Sequence, residues 1–310
     1  MIRNNVTRQT EFILVGFSDD PKVQIGLFVA FSITYTITLI GNILLVTLTM
    51  YEVALKTPMY MLLRNLSLLD IFFTTATVPK MLSGFLAEQK SISFVGCFVQ
   101  MYFLHFLGSA ECFLLTVMSF DRYVAICFPL RYAQLMSTHV CRRLAFASWI
   151  SGVLCPVGHT VLVSSLSYCA STEVNHFFCD VPPLLQLSCS DSTITVLELL
   201  TLAALVTGGS FLLTLTSYVC IIISVLKIRS AEGRKKAFST CAAHLTVVAI
   251  YFGTIGFIYV RPKSSYSPDQ DKLISVLYNI LTPMLNPIIY SLRNQEVKKA
   301  LRKLVLRTSR

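Results

Sequence analysis

Apolar residues fall along this chain in long unbroken runs separated by short charged stretches. Five runs carry no Asp, Glu, Lys or Arg: Val23 to Tyr51, Leu144 to Thr172, Leu199 to Leu226, Ala237 to Val260 and Leu273 to Leu292. At about 1.5 Å per residue, each is long enough to cross the roughly 30 Å hydrocarbon core of a bilayer as a helix. Two further runs hold isolated charges: Pro58 to about Gly84, with Arg64, Asp70 and Lys80, and Ser91 to Cys127, with Glu111, Asp121 and Arg122. The pattern predicts an all-α membrane protein, a seven-transmembrane helix bundle with spans at about 24–50, 58–83, 92–127, 142–162, 197–226, 237–260 and 272–292. After Arg293, apolar Val297, Leu301, Leu304 and Val305 alternate with basic residues. That spacing predicts a short amphipathic helix lying on one leaflet after the seventh span.

Composition agrees with a bilayer as the solvent. Apolar residues make up 54% of the chain, charged residues 14%, and the mean hydropathy is +0.66. The net charge of +10 has a topological meaning, because Lys and Arg near span ends are retained in the cytoplasm. With the carboxyl terminus inside, 18 of the 26 basic residues fall on the cytoplasmic side with only four acids, Glu52, Asp121, Glu232 and Glu296. Nucleic-acid binding is therefore the weak reading of this charge. The chain is expected to sit in the plasma membrane with residues 1–22 extracellular, a transmembrane domain over 23–293, and a cytoplasmic helix and tail over 294–310. Asn5-Val6-Thr7 is then a glycosylation acceptor on the outer side. Residues 1–20 lack the apolar core of a cleavable signal peptide, so the first span is expected to act as its own insertion signal.

Cysteine placement follows the same sides. Cys97, Cys169, Cys179 and Cys189 fall in outer segments where oxidation is allowed, and four cysteines permit three pairings. The other six are read as small packing residues.

Polar groups inside hydrocarbon are costly and mark function. Asp70 and Glu111 sit at similar depth on helices that run in opposite directions, and Asn42 and Asn286 are expected to join them. The expectation is a polar cluster that binds a structural sodium ion or shares a proton between the two carboxyls. No other metal and no organic cofactor is implied. Toward the outside, His105, Gly108, Ser109 and Cys112 recur at helical spacing on the third span, and Phe252, Ile255, Gly256 and Tyr259 do so on the sixth. A cavity lined by these residues suits a small, mostly apolar ligand. At the opposite end, Asp121-Arg122-Tyr123 forms a charged cap where the third span meets water, and Asn286-Pro287-Ile288-Ile289-Tyr290 provides a loosened turn able to re-aim Tyr290.

Those two motifs, with Asn42, Asp70 and Cys97, resemble a rhodopsin-like (class A) G-protein-coupled receptor. Five longer runs narrow the resemblance to vertebrate odorant (olfactory) receptors: Leu55 to Tyr60, Leu66 to Asp70, Met118 to Cys127, Lys236 to Leu245 and Pro283 to Asn294. The fifth and sixth spans contain no proline, and Tyr251-Phe252-Gly253 stands where many class A receptors carry a Cys-Trp-x-Pro turn. Odorant receptors share that departure. The resemblance implies disulfides Cys97–Cys179 and Cys169–Cys189, and a small volatile odorant as ligand. It also implies coupling of Arg122, Lys235 and Lys236 to a heterotrimeric stimulatory, olfactory-type G protein that raises cyclic AMP.

Three rival readings remain. A non-odorant chemosensory receptor of the same fold shares every motif. An ion-coupled transporter or channel would use Asp70 and Glu111 as a relay, but the chain lacks an internal repeat. An enzyme is not expected, because no nucleophile stands beside a base and no His pair shows metal-ligand spacing.

Overall fold

The computed structural model describes residues 9–18, 20–87, 90–169, 171–259, 268–293 and 295–308. The side chains of Lys236, Ser239, Thr240, Ile258, Tyr259, Pro268, Leu292, Arg293 and 305–308 lie outside that description. Seven spans form an antiparallel bundle. The first three are single helices, Pro21–Tyr51, Pro58–Leu86 and Phe94–Cys127. Each start has a local cause. Asp20 accepts the Lys22 N–H at 2.9 Å ahead of Pro21, Pro58 opens the second helix, and Ser93 accepts the Gly96 N–H at 3.1 Å.

The fourth span begins at Thr138 rather than near 142, because Ser137 caps it, and Pro156 splits it into Thr138–Leu154 and Pro156–Ser164. The fifth runs from Thr193 to Leu226 through a π-helical turn at Ala204–Gly208, and the seventh, Pro268 to Arg293, contains another at Leu277–Leu281. The sixth, Ala231–Tyr259, starts earlier than residue 237. Its first turns carry Glu232, Arg234 and Lys235, so only Cys241–Phe257 has the apolar character of a membrane segment. The other six spans each contain a membrane-crossing length of apolar helix.

Burial is inverted relative to a water-soluble bundle. Ile25, Val29, Ile33, Ile37 and Ile40 of the first span are exposed, whereas Thr38, Asn42, Asp70, Glu111 and Asn286 are buried. Lipid covers the former and the bundle shields the latter. The amphipathic helix Gln295–Thr308 sets Val297 and Ala300 into the bundle, and Lys303 Nζ reaches Glu52 Oε2 at 3.2 Å.

One feature departs from the all-helical expectation. Strands β1 (Glu11–Leu14), β2 (Ser91–Ser93) and β3 (Glu173–Val174) form a small sheet of order β2-β1-β3, antiparallel between β1 and β2 and parallel between β1 and β3. It ties the amino-terminal segment to the loop between the fourth and fifth spans, and Phe12 and Leu14 bury their side chains beneath it. Asn5 lies outside the described residues.

Candidate functional site

The loop between the fourth and fifth spans is stapled over the disulfide-bearing end of the bundle. Cys97–Cys179 joins it to the first turn of the third span, and Cys169–Cys189 closes the loop on itself. Next to the first bridge, the Cys179 N–H donates to Gln100 Oε1 at 3.0 Å, while Gln100 Nε2 donates to the Ala76 carbonyl at 3.1 Å. These bonds deliver Asp180 inward. Asp180 caps the short helix Val181–Leu187 by accepting the Val181 N–H at 2.8 Å. Burial pushes the Asp180 carboxyl above its ordinary pKa, against the pull of His105 and of the Val181 N–H.

Beneath Asp180 lies a cavity of about 80 Å³. All four residues expected from the third span line it: His105, Gly108, Ser109 and Cys112. From the sixth span Ile255 lines it, but Phe252 and Gly256 do not. Tyr251 takes the place of Phe252. Its hydroxyl donates to the Gly108 carbonyl at 2.7 Å, and one residue of helix is about 100° of rotation, so Phe252 turns away to meet the Phe211 ring at 5.6 Å. Gly256 faces open space. The Tyr259 side chain lies outside the described residues. Sequence periodicity also missed the fifth-span wall, Leu199, Leu202, Ala203, Val206 and Thr207, and the contributions of Phe73 and Tyr278. The π turn at Ala204–Gly208 shifts the side-chain register there, which a pure 3.6-residue period cannot anticipate.

Behind the cavity the third and fourth spans touch. A Cβ on Gly152 would fall 2.6 Å from Ala110 Cβ, so glycine is what permits the contact. At the edge of the cavity nearest Asp180, His105 Nδ1 is 2.9 Å from the Met101 carbonyl and its Nε2 is 3.7 Å from Asp180 Oδ1. The His105 ring lies 5.2 Å from that of His159, whose Nδ1 is 2.9 Å from Glu198 Oε2.

At mid-depth the four polar residues divide. Asn286 Nδ2 donates to both oxygens of Asp70, at 3.0 and 3.1 Å. Asn42 Nδ2 instead donates to the Pro283 carbonyl at 3.0 Å. The cause is Pro287: lacking an N–H, it leaves the carbonyl four residues earlier without its helical donor. Glu111 makes no direct bond to the pair, and Glu111 Oε1, Asn42 Oδ1 and Asn286 Oδ1 are buried without a hydrogen-bond partner among the described residues. Three unpartnered oxygens are chemically suited to a hard cation or to a shared proton.

The opposite end of the third span holds Arg122. Its Nε donates to Asp121 Oδ2 at 3.0 Å, its Nη2 bonds the same oxygen, and the Tyr132 hydroxyl donates to Asp121 Oδ1 at 2.7 Å. Burial and the neighbouring carboxylate push the Tyr132 hydroxyl above its ordinary pKa, so it remains a donor. Tyr132 was not foreseen; it sits beyond a Pro129 turn, and no helical spacing links it to Asp121. Tyr123 packs against a buried group of Tyr218, Ile221, Val225 and Cys241. Tyr218 Oη lies 2.6 Å from His244 Nδ1, joining the fifth and sixth spans. The Tyr290 hydroxyl is buried with no partner among the described residues. Lys235 is exposed on the first turns of the sixth span, and the Lys236 side chain lies outside the described residues.

The chain resembles known proteins in sequence and in fold. A family model described as olfactory receptor matches residues 31–308. The chain is 50% identical to human Olfactory receptor 10A7 over 305 residues, covering 98% of this chain and 96% of the relative. Mouse Olfactory receptor 5AR1 is 48% identical over 305 residues, 98% of each. Human Olfactory receptor 5I1 is 51% identical over 301 residues, 97% of this chain and 96% of that one. Among solved structures, squid rhodopsin superposes with a TM-score of 0.72 at 19% identity, over 91% of this chain and 80% of that chain, a likeness of fold.

Proposed function

The chain belongs to the olfactory receptor family, a multi-pass membrane receptor and not an enzyme, and from that premise we propose that it detects small, mostly apolar volatile molecules. The ligand occupies the cavity between the third, fifth and sixth spans, and the signal leaves at Arg122. The observation that carries this reading is that one helix holds both: His105, Gly108, Ser109 and Cys112 line the cavity, and Arg122 lies 17 residues beyond His105. That is about 26 Å along the axis. A cavity of about 80 Å³ is smaller than the ~300 Å³ at the low end of ordinary ligand sites. A ligand that fits better once the walls part then favours the open arrangement, the only way it can drive a change.

In the proposed orientation the disulfides and residues 1–22 face outward, and Arg122, Lys235, Lys236 and the carboxyl-terminal helix face the cytoplasm. Oxidation state and the distribution of Lys and Arg both favour it. Arg122, released from Asp121, contacts a stimulatory, olfactory-type G protein, and cyclic AMP rises. Asp70, Glu111, Asn42 and Asn286 supply the oxygens that hold a sodium ion or a shared proton in the resting bundle. Sodium dependence of the response, and its loss in Glu111→Gln, test that part; a response unchanged by both removes it.

A cyclic-AMP screen of a chemically diverse volatile panel on cells displaying the chain tests the whole reading. Arg122→Ala, at matched surface level, is the control. Activators that are silent on Arg122→Ala support it, and activators equally strong on both contradict it.

A further inference from the structure

The hydrogen-bonding chemistry around His105 specifies more than an apolar ligand. A carbonyl oxygen only accepts, so the 2.9 Å contact with Met101 O requires that His105 Nδ1 carry the hydrogen. In the neutral ring Nε2 is then a bare acceptor. It is buried without a hydrogen-bond partner among the described residues, 3.7 Å from Asp180 Oδ1, beyond hydrogen-bond reach. Asp180 is itself an acceptor when ionised, and its Oδ1 takes a single N–H from Val181. With the ring neutral and Asp180 ionised, two acceptors from different elements face one another at the lip of the cavity with no donor between them among the described residues.

The nearby hydroxyls do not fill the gap. Tyr251 spends its hydrogen on the Gly108 carbonyl. Tyr278 lies beside Asn279 and Ser275, and Thr207 beside Cys112, and none of these groups bonds His105 Nε2, which has no partner among the described residues. His159, the other ring beside His105, faces Glu198 through its Nδ1. Ser109 also keeps a half-buried hydroxyl with no bond shown, and it lies one helical turn deeper.

Resting on the odorant reading, we infer that the ligand class is apolar molecules headed by a hydrogen-bond donor, an O–H or N–H that enters between His105 Nε2 and the Asp180 carboxylate. Ethers, esters and ketones of the same shape present only acceptors there and leave both protein groups unsatisfied, which is the more costly outcome for buried polar atoms. A hydroxyl satisfies one acceptor while an ammonium satisfies both, so a matched alcohol and amine report how the site divides them.

The test uses the full chain in cells and a panel of size-matched straight-chain alcohols, amines, methyl ethers, methyl ketones and esters, read by cyclic AMP. On the wild type, donors are expected to activate at concentrations roughly tenfold lower than their acceptor-only partners, the worth of a hydrogen bond to a charged group. His105→Phe keeps a ring but removes the acceptor, and should erase most of that gap. Asp180→Asn places an amide N–H in the site and should shift preference toward ketones and esters. Ethers or ketones as potent as alcohols and amines on the wild type, or an unchanged preference in both variants, overturns the inference while leaving the receptor reading intact. A panel with no activator on a well-displayed wild type overturns both.

Discussion

Asp121 grips Arg122 from the adjoining position in the chain, and it does so with only one of its oxygens, because Tyr132 occupies the other. The arginine is 7% exposed and the aspartate 1%, so this pair stands in a setting where each bond counts. Removing a hydrogen bond of this kind shifts a two-state equilibrium by about 1 kcal/mol, roughly fivefold in population. Asp121→Asn is expected to raise basal cyclic AMP several-fold, and Tyr132→Phe to raise it by a smaller step. Basal signalling measured at matched surface level checks both, and equal basal activity in all three chains would show that the pair does not restrain Arg122.

Asn42 serves the backbone of the seventh span rather than Asp70. Asn42→Ala should strand the Pro283 carbonyl and cost about 1–3 kcal/mol. Pro287→Ala restores an N–H to the helix, so Asn42→Ala should cost less in that background. Thermal unfolding of the purified single and double variants measures the coupling, and strictly additive losses would break the link between Asn42 and the proline.

Gly152→Ala sets two effects against each other. Alanine gains about 1 kcal/mol of helix propensity, but its Cβ would sit 2.6 Å from Ala110 Cβ and 2.9 Å from the Ala110 backbone. Overpacking of ~1–3 kcal/mol or more wins. The variant should melt earlier and reach the surface poorly. Ala110→Gly should rescue it only in part, since the Ala110 backbone stays in place.

His176 is expected to make the loop between the fourth and fifth spans sensitive to acid. It accepts the Phe178 N–H at Nδ1 and faces Ser275 of the seventh span at 3.3 Å through Nε2, between the rings of Phe177 and Phe178. Burial, with Lys272 nearby, pushes its pKa from 6.5 down to about 3. The unfolded state therefore takes the proton first as pH falls. Stability attributable to this group is whole above pH 6.5 and declines toward about 3, by up to about 1.4 kcal/mol per pH unit. Between pH 7.5 and 5 the wild type should lose more thermal stability than His176→Phe; parallel losses would show that His176 is not the sensor.

The spans were legible because lipid demands long charge-free stretches, and Val23 to Tyr51 or Leu199 to Leu226 leaves little else to form. The third-span wall of the cavity was equally legible from the spacing of His105, Ser109 and Cys112. What stayed hidden depends on contacts distant in the chain. Asp180 reaches the cavity through a disulfide and the Gln100 bonds. The choice of Tyr251 over Phe252 turns on about 100° of helix rotation. The strand Glu11–Leu14 is too short to read alone and pairs with residues some eighty and one hundred and sixty positions away.

Whether occupancy of the cavity beneath Asp180 governs Arg122 is tested most directly by blocking one end and then the other. The measurement is the cyclic-AMP dose–response to the strongest volatile activator in wild type, Ser109→Phe and Arg122→Ala at equal surface display, with thermal stabilisation of each purified chain by the same compound. Ser109→Phe fills the cavity and should lose both stabilisation and signal, whereas Arg122→Ala should keep stabilisation and lose signal. A Ser109→Phe chain that still responds at wild-type concentrations, or an Arg122→Ala chain that still raises cyclic AMP, would contradict the account.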